Sequence, residues 1–98
     1  METIIDALPQ AELLAMLAEE CSELAQAALK LRRVLDGSNP TPVSYAQCRD
    51  QLLEEAADVR LCMDTVHAIH DNMDVVGELM ALKRERWVQR LKKAMDDK

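Results

Sequence analysis

Two carboxylate motifs stand out along this chain: Glu19-Glu20-Cys21-Ser22-Glu23-Leu24 and Glu54-Glu55-Ala56-Ala57-Asp58-Val59. Each lies in an otherwise apolar stretch with helical periodicity, and each repeats an acid three residues on, as Glu20/Glu23 and Glu55/Asp58. On a helix such positions share a face one turn apart, so the oxygens of a pair can address a single point. Two like charges about 4 Å apart repel by roughly 4 kcal/mol in an effective dielectric of about 20. A hard divalent cation with oxygen ligands relieves that cost.

The acids matter only if they face inward. On a helical wheel the apolar stripe of the first motif's helix is centred between Leu17 and Leu24, and Glu20 lies about 40–60° from that centre. Glu23 sits at the edge of the stripe and Glu19 points further away. In the second motif Glu55 falls between Leu52 and Val59, inside the stripe, and Asp58 borders it beside Cys62. Buried acids are rare unless paired or bound to metal. The ordinary alternative, acids that are merely solvated or that pair with Lys and Arg, has to hold twice over to explain both motifs.

Cations are available nearby in sequence. Lys83, Arg86 and Arg90 follow i, i+3, i+7 and share a side with Val75, Leu79 and Leu82. A basic stripe overlapping an apolar face suits phosphate oxygens that a metal leaves unneutralised, although salt bridges to Glu78 or Glu85 account for each residue taken singly. Lys30, Arg32 and Arg33 close the first helix, where cations favour the dipole; among them Lys30 is the further phosphate candidate. Trp87 and Tyr45 are the only aromatics and hence the only side chains broad enough to stack on a base. His67, Asn39 and Asn72 are weaker candidates for reading a base edge.

The elements that must position these groups are helices. The 98 residues suit one small domain whose core, lacking Phe, is built from Leu, Ala, Val, Ile and Met. Pro9 fits an early helical position, and a helix is expected from about 10 to 35, with Leu13, Leu17, Leu24, Ala28, Leu31 and Leu35 on one stripe. Residues 36–43 form a Pro-rich loop, with Gly37 placed to end the helix. Ser44 and Gln47 spell a capping box. It opens a second helix from about 45 to 70, with Leu52, Ala56, Val59, Met63 and Val66 inside. A turn at Asp71-Asn72, with Asp71 or Asp74 as cap, precedes a third helix from about 74 to 95, where Gly77 marks a kink or a close approach. The fold class is all-α, three to four helices in a bundle completed by oligomerisation, since so small a core gains from a homodimer or homotetramer.

A net charge of −6 argues against nucleic acid or an anionic membrane as the main partner. No run approaches the length of a membrane span, and no basic, then apolar, leader opens the chain, so a cytoplasmic protein is expected. Cys21, Cys48 and Cys62 form no CxxC and are read as reduced, mostly buried thiols.

The two motifs together resemble the hallmark of the MazG-like, all-α nucleoside triphosphate pyrophosphohydrolases: Glu-Glu-x-x-Glu on one helix and Glu-x-x-Asp on the next. Here these read Glu19-Glu20-Cys21-Ser22-Glu23 and Glu55-Ala56-Ala57-Asp58, with Leu24 and Val59 agreeing in the flanks. The similarity spans residues 10 to 70 well and the third helix loosely. It implies that Glu20, Glu23, Glu55 and Asp58 hold magnesium, with Glu19 an auxiliary catalytic acid, and that the third helix's cations contact phosphate. It also implies hydrolysis of a (deoxy)nucleoside triphosphate between the α- and β-phosphates, giving a nucleoside monophosphate and pyrophosphate, as housekeeping of the nucleotide pool. The loop between the motifs is long for that family, and little chain follows the third helix to build a base pocket.

Two other classes compete. A carboxylate-bridged di-iron bundle wants Glu-x-x-His on two helices, and Asp64-x-x-His67 is the nearest approach here. A non-catalytic helical oligomer that binds nucleotide or a protein would keep the fold, yet all four metal-ligand positions retain their acids.

Overall fold

The computed structural model describes residues 7–38 and 43–97, and among them the chain is all-α. Four helices follow in order: α1 (Gln10–Asp36), α2 (Tyr45–Thr65), α3 (His67–His70) and α4 (Met73–Asp96). The chain divides into two compact units, Met1–His67 and Ala68–Lys98. Among the described residues no helix is long and apolar enough to cross a membrane.

In the first unit α1 and α2 pack along one another. They run antiparallel: Gln10 at the start of α1 accepts a hydrogen bond from the His67 backbone just beyond α2, at 2.8 Å, while Lys30 near the end of α1 shares a groove with Gln47 at the start of α2. Local signals set the ends. Pro9, which lacks an N–H to satisfy, caps α1 and its carbonyl accepts from Leu13 and Glu12 at 3.2 and 3.0 Å. Gly37 closes α1 in the left-handed region, φ 77°, as C-terminal glycines do. Ser44 and Gln47 form the reciprocal capping box that opens α2. Asn39, with the rest of the loop from 39 to 42, lies outside the described residues.

The core is a seam with alternating spacings of four and three. Leu13, Leu17, Glu20, Leu24, Ala27, Leu31 and Val34 supply it from α1, all buried or half-buried. From α2 come Cys48, Leu52, Glu55, Val59 and Cys62, followed by Val66. This is the 3.5-residue period of two helices packed knobs-into-holes. It corrects the expected stripe in its last two turns, since Ala27 is buried while Ala28 is exposed, and Val34 is half-buried while Leu35 is 69% exposed. The partner helix selects between adjacent apolar residues, and the sequence offered both.

The second helix also ends earlier than its expected limit at 70. Val66 leaves the helix with φ −85° and ψ 112° and is the most deeply buried residue, 1% exposed. A β-branched side chain tolerates the extended conformation well, and the amide freed at His67 is taken up by Gln10. Thr65 Oγ1 donates to the Cys62 carbonyl at 2.8 Å, meeting one of the terminal acceptors.

The second unit is essentially one long helix. Asn72, rather than Asp71 or Asp74, occupies the N-cap of α4, and its side chain donates back to the Ala68 carbonyl at 2.9 Å instead of capping. Gly77 marks no close approach, because a Cβ there would meet nothing within 4 Å. No residue of α4 is buried.

Candidate metal centre

Glu20 and Glu55 occupy seam positions of their respective helices, where a coiled-coil pair would carry Leu or Val. Both are half-buried, and Glu23, one turn beyond Glu20, stands exposed at the rim. One carboxylate oxygen from each of the three lies within 4.8 Å of the others. Oε2 of Glu20 and Oε2 of Glu55 are closed off from solvent and accept no hydrogen bond among the described residues. Buried oxygens without a donor are uncommon and costly. The one ion pair among the described residues is Arg49–Asp50 at the surface, 3.1 Å, so no Lys or Arg there neutralises the cluster. The reading of these acids as salt-bridged side chains is thereby set aside.

Electrostatics agree with the geometry. Burial raises the Glu55 carboxyl above the usual glutamate range, the adjacent Glu23 charge adds to the effect, and a hydrogen bond from Gln51 opposes it. Burial likewise pushes the Cys62 thiol up, helped by the charges of Glu20 and Asp58, which disfavours the thiolate. Of the three cysteines, Cys48 is buried, Cys62 half-buried and Cys21 exposed, which corrects the expectation for Cys21.

Three carboxylates that each bring one oxygen to the same place, two of them holding an oxygen without a donor, form a hard donor set suited to magnesium or manganese. Magnesium commonly uses few protein carboxylates and completes an octahedron with water and phosphate oxygens. Asp58 is exposed and lies outside the 4.8 Å cluster, though its charge acts on both Glu55 and Cys62. Glu19 is exposed. No histidine joins the cluster among the described residues, and His67 and His70 are exposed, so the di-iron pattern is not assembled there.

A groove of about 410 Å³ opens beside the acids, lined by Glu23, Gln26, Ala27, Lys30, Gln51 and Glu55. A second, of about 310 Å³, shares Lys30 and Gln51 with it and is completed by Val43, Gln47 and Cys48. Both volumes fall in the range of small-molecule sites, roughly 300–1,000 Å³. Lys30, read from sequence chiefly as a helix-terminal cation, is therefore the phosphate candidate that the first unit sets beside the acids. Gln26 and Gln51 went unremarked in the sequence, and Gln47 was read there only as half of the capping box. The available signal was spacing, since Gln51 precedes Glu55 by four residues and must share its face.

Tyr45 opens α2 and is 49% exposed. Lys83, Arg86, Trp87 and Arg90 all lie on α4 in the second unit, exposed, with Trp87 at 65%. Asn72 is committed to its own turn through the bond to Ala68.

Fold and site together define an antiparallel helical hairpin that carries a carboxylate cluster in its seam. Compared with family models, curated proteins and solved structures, the chain shows no significant match to any of them.

Proposed function

We propose that this protein is a magnesium-dependent nucleoside triphosphate pyrophosphohydrolase, cleaving a (deoxy)nucleoside triphosphate to the monophosphate and pyrophosphate in the cytoplasm. The observation that carries the reading is the trio Glu20, Glu23 and Glu55, each with a carboxylate oxygen within 4.8 Å of the others, two of them with a buried oxygen that has no donor, and none in an ion pair among the described residues. It joins the paired motif in the sequence to a groove of suitable size.

Magnesium held there would polarise a phosphoryl oxygen and acidify a bound water. Glu20 and Glu23 supply charge and position. An acid of the cluster left partly free of the metal would receive the proton of the attacking water. A bond forms from that water oxygen to the α-phosphorus, the bridging α–β anhydride bond breaks, and pyrophosphate leaves. Lys30 lies along the same groove to balance phosphate charge, and Asp58, near enough to act on Glu55, is a fourth acid for the ion or its waters. Lys83, Arg86 and Arg90 remain the sequence's further candidates for phosphate, and Trp87 and Tyr45 its candidates for stacking on a base.

Phosphorus NMR of the eight common NTPs and dNTPs, with magnesium and then with chelator, tests the reaction. Monophosphate plus pyrophosphate, lost with chelator, is the expected result. Orthophosphate plus diphosphate would reject the named bond while keeping the metal. No turnover, with nucleotide still bound, would favour the non-catalytic oligomer.

The same proposal includes self-association. Met73, Val76, Met80, Trp87, Leu91 and Ala94 fall on one stripe of α4, all but Val76 exposed. A lone helix has nothing in its own unit to cover such a stripe, and exposed apolar patches of this kind mark interfaces. Sedimentation equilibrium is expected to return two or four times the 11.1 kDa chain mass, and Trp87→Glu to lower it. A wild-type monomer at all concentrations would reject the oligomer.

A further inference from the structure

We infer that Gln51 is the positioning residue of the carboxylate cluster: its amide pins one oxygen of Glu55 and leaves the other as the ligand. The inference rests on the metal-site reading above. Gln51 Nε2 donates to Glu55 Oε1 at 2.7 Å, a short, charge-assisted bond between side chains four apart on α2. Glu55 Oε2 is sealed from solvent and accepts nothing among the described residues. The two oxygens of one carboxylate are thus made unequal. A carboxylate on a flexible stem can otherwise turn either oxygen, or both, toward an ion. With Oε1 held by Gln51, Oε2 is the oxygen left without a partner to serve an ion beside Glu20 and Glu23, whose carboxylates each bring an oxygen within 4.8 Å of one from Glu55. Donors that fix a ligand in this way are as much part of a metal site as the ligands.

Gln51 also has a position that a purely structural residue would not need. It is exposed and lines both grooves along with Lys30. Nothing in the core requires a polar residue there. Gln26, which lines the larger groove from α1, makes no hydrogen bond to any of the acids among the described residues and serves as its control.

The test is a manganese titration of the full chain, followed by the electron paramagnetic resonance of the free ion. Gln51→Met keeps length and helix propensity and removes the donor; it is expected to weaken manganese binding by about 10–100-fold. Gln26→Met should bind as wild type. Saturating manganese should restore the Gln51→Met turnover rate with an unchanged KM for nucleotide, a split that a general loss of structure would not produce. Gln51→Ala, with the best helix former, stands in should the first variant not fold. Wild-type affinity in a folded Gln51→Met or Gln51→Ala protein, or an equal loss in Gln26→Met, overturns the clamp while the site survives. If the wild-type chain itself binds no manganese, the metal-site reading fails and the clamp falls with it. Manganese bound and weakened as expected, without hydrolysis, upholds the clamp and rejects only the reaction.

Discussion

Glu20→Gln is expected to abolish hydrolysis and, in the same preparation, to raise the melting temperature of the metal-free protein. The two effects have one source. Glu20 sits in the seam between α1 and α2, half-buried, with Glu23 and Glu55 close by and no cation of the described residues paired to it. Exchanging a charged for a neutral side chain of the same shape removes repulsion and desolvation, and such replacements in protein interiors are often neutral or stabilising. Turnover should move the other way, by more than about a hundredfold, since even a residue that only orients a ligand costs on the order of 10–100-fold. Thermal melts and the phosphorus NMR assay on one sample read both. A variant that stays active, or one that is less stable without metal, would mean that Glu20 has a structural partner and is no ligand. Helicity by circular dichroism separates unfolding from a local loss.

The second large effect is the response of stability to magnesium and its dependence on pH. At ten times its dissociation constant a ligand that binds only the folded state stabilises by about 1.4 kcal/mol, which for a domain of this size is on the order of 5–10 °C. The pH profile follows from Glu55. Burial first, and the Glu23 charge second, raise its folded-state proton affinity above the ordinary glutamate value. The folded chain therefore holds this proton more tightly than the unfolded chain does. The stability so contributed is complete below the ordinary glutamate value and is lost as pH rises through the elevated folded one. Metal-free protein should lose stability on that alkaline side, and magnesium should restore it there, with little effect in acid where the ligand is protonated. Glu55→Gln should flatten both trends.

Asp36 runs opposite in sign. Its carboxylate accepts hydrogen bonds from the Ser38 hydroxyl and amide, and these hold it below the usual aspartate range. Its contribution is present above the ordinary aspartate value and is lost as pH falls through the depressed one, with no coupling to magnesium. A melting temperature indifferent to millimolar magnesium at pH 8 would count decisively against the site.

Much of the helical framework was legible because its determinants are local. Ser44 and Gln47 are three residues apart, and a capping box needs nothing else. Gly37 ends α1 through its own freedom at positive φ. The Glu20 and Glu55 positions were legible too, since helical periodicity alone sets them among leucines and valines. Val66 was not. Its departure from the helix depends on a buried position and on Gln10, 57 residues away in sequence, accepting the amide that the break releases.

The site divides along the same line. Residue order establishes that each helix carries inward acids, because i, i+3 and i+4 relations hold within any helix whatever surrounds it. Which oxygens meet depends on how far α1 is rotated and shifted against α2, and packing at Ala27, Cys48, Val59 and Val66 sets that angle and offset. So Glu23 from α1 joins Glu20 and Glu55, Asp58 stands outside, and Lys30 lines the groove beside them. Distances between helices come from side-chain volumes that fill the seam, and no periodicity within one helix encodes them.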